Sequence, residues 1–321
     1  MRKLYDLVKF RNDLESKLQN LDLTFSIEGV IEILNILKSS NKHDIYTSSL
    51  GEFVDDYNNL KTESKIILER IRNRIAELNF NIDKIAKELF DNDDFKNLMT
   101  EELICQNLNI DKNLEADIVS KISFYSDWHY PTLQINPREK KWIDYMIAGD
   151  PLYLTSHNPT NFKERPEYLG DIKKLIQGYP DLYQQRLRLY SIENRDYSVL
   201  PQNQFGFVLC WDNFNYLSND KIEKYLTEIF NLLRPGGVFF FSYTNCDIDT
   251  MSFRAESRAA GYITKRSIEA KVLEIGYEII EFKDTPIDDA FTTHVSWAEL
   301  KKPGILKTIK AHQSMAQIIS K

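Results

Sequence analysis

Residues 205–245 read "FGFVLCWDNFNYLSNDKIEKYLTEIFNLLRPGGVFFFSYTN". Two short, almost wholly apolar runs flank one amphipathic stretch, in which Ile222, Leu226, Ile229 and Leu233 recur at helical steps. Pro235 cannot continue a helix, and Gly236–Gly237 allow the backbone to reverse. An apolar strand, a helix and a second apolar strand, all in about 40 residues, describe a parallel crossover buried on both faces. Few folds accept such a unit, because both faces of its sheet must be covered by helices.

The same alternation runs from Pro131 to Lys301. "TLQI" is followed by "EKKWIDYM", and "PLYLTS" by the helical pattern "NFKERPEYLGDIKKLI". "RLRLYSI" comes next, before the unit quoted above. Thr264 can cap "KRSIEAKVLEI", which Gly276 closes, and "YEIIEF" and "THVSWAEL" finish as two strands. The order predicts a doubly wound, mainly parallel α/β sheet of seven strands.

The first 120 residues have another period. Leu68, Ile71, Ile75, Leu78, Ile82, Ile85 and Leu89 alternate steps of three and four, which is a heptad seam. Val54 and Tyr57 continue it upstream, where Lys61 and Ser64 interrupt it. A helix from Val54 to Leu89 would be about 54 Å long. Its stripe needs a partner, either the helix expected at residues 3–20 or another copy of the chain. "DNDDFKN" ends the rod, and short helices are expected around Thr100–Gln106 and Asn113–Ile122. The aromatic segment Phe124, Tyr125, Trp128 and Tyr130 serves either as a packing joint or as a substrate platform. Three regions follow: a helical, coiled-coil region over 1–122, an α/β domain over 123–302 and a basic tail over 303–321.

Composition narrows the function classes. The chain has 321 residues, 42% hydrophobic and 28% charged, with a net charge of −7. That balance gives no reason to expect nucleic-acid binding. No apolar run reaches the length of a membrane helix, and the charged N-terminus lacks a signal-peptide core. The expected location is the cytoplasm, or a virion if the chain is phage-encoded. Cys105, Cys210 and Cys246 are isolated, which argues against a disulfide framework. His129, His157 and His294 lack metal-ligand spacing, so no metal is expected. Self-association or a partner protein through the coiled coil is the expected interaction.

From Tyr130 to Lys301 the sequence resembles the class I S-adenosylmethionine-dependent methyltransferases. The strand, helix, "LRPGG" turn and strand quoted first carry the likeness most specifically. "TLQINPREKKW" falls on the family's first strand and glycine loop, and "PLYLTSHNP" on its second strand. "RLRLYSIENRDYSVLP" falls on the third strand and the adenine loop. These stretches also resemble methyltransferase-like proteins of large tailed phages. The resemblance implies that "THVSWAEL" runs antiparallel to its neighbours. It implies a cofactor pocket at Gln134, Asn136, Arg138, Lys140, Ser156, Glu193 and Asn194.

The departures lie in that pocket. Asn136, Arg138 and Lys140 stand where the family has glycines, and Ser156 where it has a ribose-binding acid. Gln134 replaces an acid of the first strand. Asn136 can take a left-handed conformation at modest cost; Arg138 and Lys140 would set long side chains where a ligand needs bare backbone. They belong either to a rebuilt site that grips a phosphate or carboxylate, or to a plain turn. After the fourth strand, Asp212 is a candidate general base, Asn213 a hydrogen-bond donor, and Trp211 and Phe214 a pocket lining. The structural alternative makes Trp211 and Phe214 core and leaves Asp212 or Asn213 as loop caps. The expectation is a methyltransferase-fold protein with a degenerate cofactor loop, acting as a non-catalytic assembly component or pseudoenzyme and possessing no cofactor. The alternative is an active enzyme using S-adenosylmethionine through an atypical loop.

Overall fold

A computed structural model of the protein describes residues 3–24, 47–90, 112–126, 130–137, 140–146, 149–157, 176, 179–192, 196–217, 219–257, 260–286 and 294–306. Contacts divide the chain into two units, Met1–Leu89 and Phe90–Lys321.

The first unit holds α1 (Lys3–Thr24) and α2 (Thr47–Phe90). On α2, Ile75, Leu78, Ile82 and Ala86 are buried, while Leu68, Ile71 and Ile85 are half-buried. The stripe thus drifts from the heptad seam onto Ala86. That is the drift expected of a straight helix with 3.6 residues per turn. Among the described side chains of α1, Leu4, Val8 and Arg11 are buried, and Arg11 donates from Nη1 to Asn79 Oδ1 at 3.5 Å. The first helix therefore lies beside α2, the intrachain one of the two expected partners.

In the second unit, α3 (Lys112–Ser126) precedes seven strands. These are β1 (Thr132–Ile135), β2 (Leu152–His157), β3 (Leu187–Ile192), β4 (Phe205–Cys210), β5 (Leu233–Tyr243), β6 (Glu278–Pro286) and β7 (His294–Lys301). Their order is β3-β2-β1-β4-β5-β7-β6. The first five pair in parallel, and β7 runs antiparallel between β5 and β6. The helices α4 (Lys140–Tyr145), α5 (Asp181–Gln184), α6 (Asn219–Leu232), α7 (Asp249–Glu256) and α8 (Lys265–Ile275) complete the unit.

Both faces of the sheet are covered. Leu133, Ile135, Phe239 and Phe241 pack with Ile222, Leu226 and Ile229 of α6 and Val272 of α8. Phe207, Leu209, Phe240 and Trp297 pack with Ile118 and Ile122 of α3 and Trp142 of α4. Alternate residues of β5 thus serve opposite layers, which is why "VFFF" is apolar throughout. The α3 helix, expected to belong with the helical region, is anchored on the sheet. Tyr125 stacks on Phe207 at 5.3 Å, and Lys121 donates to Glu299 at 2.7 Å.

The turn chemistry follows the sequence closely. Thr264 and Ser267 form a capping box at α8, and Gly276 closes that helix at φ 102. Leu233, expected on the face of α6, instead opens β5. The ladder shifts between Phe205 opposite Leu233 and Phe207 opposite Val238. Arg234–Gly237 form the irregularity, and Gly236 supplies the positive φ of 81. Lys302 caps the end of α6 from outside, with Nζ donating to Phe230 O and Leu233 O, each at 2.8 Å. The segments Thr100–Gln106 and "NFKERPEYLGDIKKLI" lie outside the described residues, apart from Ile176.

Candidate functional site

Chain order reverses at β1, whose neighbours are β2 and β4. In an open α/β sheet the crevice for a ligand lies outside the carboxyl ends of the strands at such a point. Here the tips are Asn136, directly after β1, and Trp211–Asn213, directly after β4.

Asn136 has φ 47, the left-handed conformation that a first loop glycine would supply. Its backbone N–H donates to Thr155 O on β2 at 2.8 Å. Its side chain crosses to the β4 tip, where Nδ2 donates to Asn213 Oδ1 at 2.8 Å. Asn213 is buried and returns the contact. Its Nδ2 faces Trp211 O at 2.8 Å, Ile135 O at 3.1 Å and Asn136 O at 3.4 Å. The two amides thus clasp β1 to β4 across the switch point. Neutral hydrogen bonds contribute about 0.5–1.5 kcal/mol each.

Asp212 also has a positive φ, 58. Its N–H donates to Ser242 Oγ on β5 at 2.7 Å, and its Oδ1 accepts from Asn215 Nδ2 at 2.7 Å. Asn215 Oδ1 in turn accepts from Thr244 at 3.3 Å. A half-buried carboxylate is therefore held in a fixed direction at the carboxyl end of β4, at a backbone cost of roughly 1–3 kcal/mol. Neighbouring Trp211 is core. It is 6% exposed, stacks on Phe240 and lies against Trp142 at 5.0 Å. Phe214 is fully buried against Phe241.

The remaining pocket candidates are dispersed. Gln134 is buried on β1 between Leu154 and Leu209 of the adjoining strands, and its Oε1 has no hydrogen-bond partner among the described residues. Ser156 is half-buried opposite Ser191. The exposed Lys140 sets its ammonium 4.7 Å over the ring of Tyr179, whose hydroxyl bonds to Asp144 of the same helix, α4. Arg138, Glu193 and Asn194 lie outside the described residues. Asn215, Ser242, Thr244 and Thr155 were not legible as site residues. Their roles arise from strand adjacency, and only the three-residue spacing of Asp212 and Asn215 hints at a local pair.

The described part of the candidate pocket departs from the pattern that the sequence resemblance implies. A hydroxyl stands at Ser156 in place of a carboxylate, and the polar groups of the β1 and β4 tips are engaged with each other.

No protein-family model matches the sequence, and a search of curated proteins finds no match. Solved structures show similarity in fold alone. The N-methyltransferase NodS of Bradyrhizobium japonicum, in complex with S-adenosyl-L-homocysteine, is 12% identical over 66% of this chain and 100% of its own, with a TM-score of 0.47. A geranyl diphosphate C-methyltransferase of Streptomyces coelicolor is 8% identical over 65% and 98%, with a TM-score of 0.46. An S-adenosylmethionine-dependent methyltransferase of Mesorhizobium loti is 10% identical over 59% and 97%, with a TM-score of 0.43. With five parallel strands, a reversal at β1 and an antiparallel β7 inserted between β5 and β6, the second unit has the class I methyltransferase-like α/β fold.

Proposed function

We propose that this chain is a non-catalytic protein built on a methyltransferase fold, acting in assembly or in binding a partner protein. The observation that carries the reading is the Asn136–Asn213 clasp at the switch point. Groups that a cofactor would have to engage are spent on each other, and displacing them would strand buried polar atoms at about 1–3 kcal/mol each. The helical unit supports the assembly role. By length, α1 with 22 residues can run along only about half of the 44-residue α2. Self-association or a partner protein along the rest of α2 is part of the proposal.

A second reading is favoured by one feature. Asn136 keeps the left-handed backbone of a glycine loop, and Asp212 is held as an oriented carboxylate two residues beyond β4. An active methyltransferase would use Asp212 as its base, with S-adenosylmethionine bound through an altered loop. Calorimetry with S-adenosylmethionine and S-adenosylhomocysteine decides between the two. The non-catalytic reading expects no saturable heat up to about 1 mM ligand, a limit equivalent to a binding free energy near −4 kcal/mol. Micromolar binding to the wild type overturns it.

A further inference from the structure

We infer that the two edges of the sheet join between copies of this chain, β3 of one copy pairing with β6 of the next. The inference rests on the assembly reading and gives that reading a contact. β3 and β6 are the outermost strands, so each turns a row of backbone N–H and C=O groups away from its single neighbour in the sheet. They also point the same way, because β1 to β5 pair in parallel and β7 is antiparallel to both β5 and β6. Two copies side by side with the same face up therefore bring β6 and β3 together as parallel strands, the pairing used inside the sheet. The ladder of β6 shifts between Ile279 and Glu281. The joint runs past that irregularity, along Glu281–Thr285, and ends at Pro286, which has no N–H.

Charge selects this joint. On β3 the exposed Arg188 donates from Nη1 to two backbone carbonyls, Gln185 O at 2.8 Å and Leu187 O at 3.0 Å, so these contacts leave its charge unbalanced. Arg186 is exposed two residues before it. On β6 the exposed Asp284 accepts from two neutral donors, Asn245 at 3.1 Å and Ser296 at 2.5 Å. Glu281 and Glu299 share Lys121, which leaves one further negative charge at that edge. Arg188 and Asp284 stand on the same face. Arg188 lies opposite Tyr153, and Asp284 lies opposite Ser296, itself opposite Tyr243. Both tyrosines pack with the layer of α6 and α8. A joint of β3 with β3 would gather arginines, and one of β6 with β6 would gather carboxylates; like charges across strands destabilise both. Leu189 and Ile280, 42% and 46% exposed, add apolar surface beside the joint. Because the two edges differ, the contact is heterologous and propagates into a ring or a filament.

The test is sedimentation velocity on the full chain from about 1 to about 200 μM. The wild type should form species larger than two copies as concentration rises. Arg188→Glu sets like charges together and should weaken association about tenfold or more, whereas Arg188→Lys should stay within about threefold. Asp284→Asn keeps an oxygen for Asn245 and Ser296 but loses the charge, and should weaken association about twofold to fivefold. A wild type that sediments as one copy at about 200 μM overturns the inference. So does undiminished assembly of Arg188→Glu or Asp284→Asn; association through α2 would then remain, and the assembly reading would survive the loss of the edge joint. If Arg188→Glu does not fold, amide hydrogen exchange of the wild type decides. Exchange in Leu187–Ile192 and Glu281–Thr285 should be slower at about 200 μM than at about 1 μM. Unchanged exchange in either strand overturns the inference. Binding of S-adenosylmethionine would defeat the non-catalytic reading, whereas the sedimentation result would still stand or fall by itself.

Discussion

At the scale of single residues, Asn136 performs two tasks that pull on different variants. It accepts a left-handed backbone, and it sends its amide to Asn213. Asn136→Gly keeps the first and loses the second. Asn136→Ala loses both, adding roughly 1 kcal/mol of backbone strain to the lost hydrogen bond. Urea unfolding should therefore rank the wild type above Asn136→Gly and Asn136→Gly above Asn136→Ala, with about 2 kcal/mol between the ends. Equal stability of the glycine and alanine variants would show that the conformation carries no strain. The left-handed turn was legible in the sequence, because an asparagine stood where the aligned family has a glycine. The direction of Lys140 was not. Its ammonium is drawn to Tyr179, 39 residues further along, and a position in a loop does not reveal which ring will pass beside it.

At the scale of elements, α3 is fastened to the sheet by a partly buried charge network. Lys121 donates to Glu299, which is 1% exposed on β7, and to Glu281 on β6; Tyr125 also bonds to Glu299. Lys283 reaches from β6 to Asp117 of α3 at 2.9 Å. Burial alone would lower the Lys121 ammonium, but the hydrogen bonds and charges of Glu299 and Glu281 outweigh it and raise the pKa above the ordinary 10.5. A raised lysine contributes stability that is present below its unfolded value and lost as pH passes its folded value. Glu299→Gln should therefore destabilise the protein at neutral pH by about 1–3 kcal/mol. The difference from wild type should shrink as pH rises beyond about 10.5. A difference that stays constant through that range would exclude Lys121 as the partner that matters. Strands and caps were readable locally, since apolar runs, Thr264 and Gly276 each act within a few residues. The docking of α3 was not, because Glu299 lies 178 residues from Lys121 and looks in sequence like any charge on a terminal strand.

At the scale of the whole chain, two units with different periods are joined, and both periods were visible before any coordinates. The change at Pro131 marked where the sheet begins. It did not mark the contact boundary, which lies between Leu89 and Phe90 because α3 packs with the strands. The fold was thus largely legible, whereas the state of the crevice was only half so. The resemblance in sequence pointed to Asn136, Arg138, Lys140 and Ser156 as departures from the family's glycines and ribose acid. The contact on which the non-catalytic reading rests joins two asparagines, 77 residues apart, at the strand tips. On the non-catalytic reading proposed above, the contact occupies the ground a cofactor would need. A crystal structure grown with saturating S-adenosylhomocysteine tests it most directly. Electron density should show Asn136 and Asn213 still joined and no nucleoside beside them; an adenosyl group lying next to Asn136 and Ser156, with the two amides parted, would contradict it.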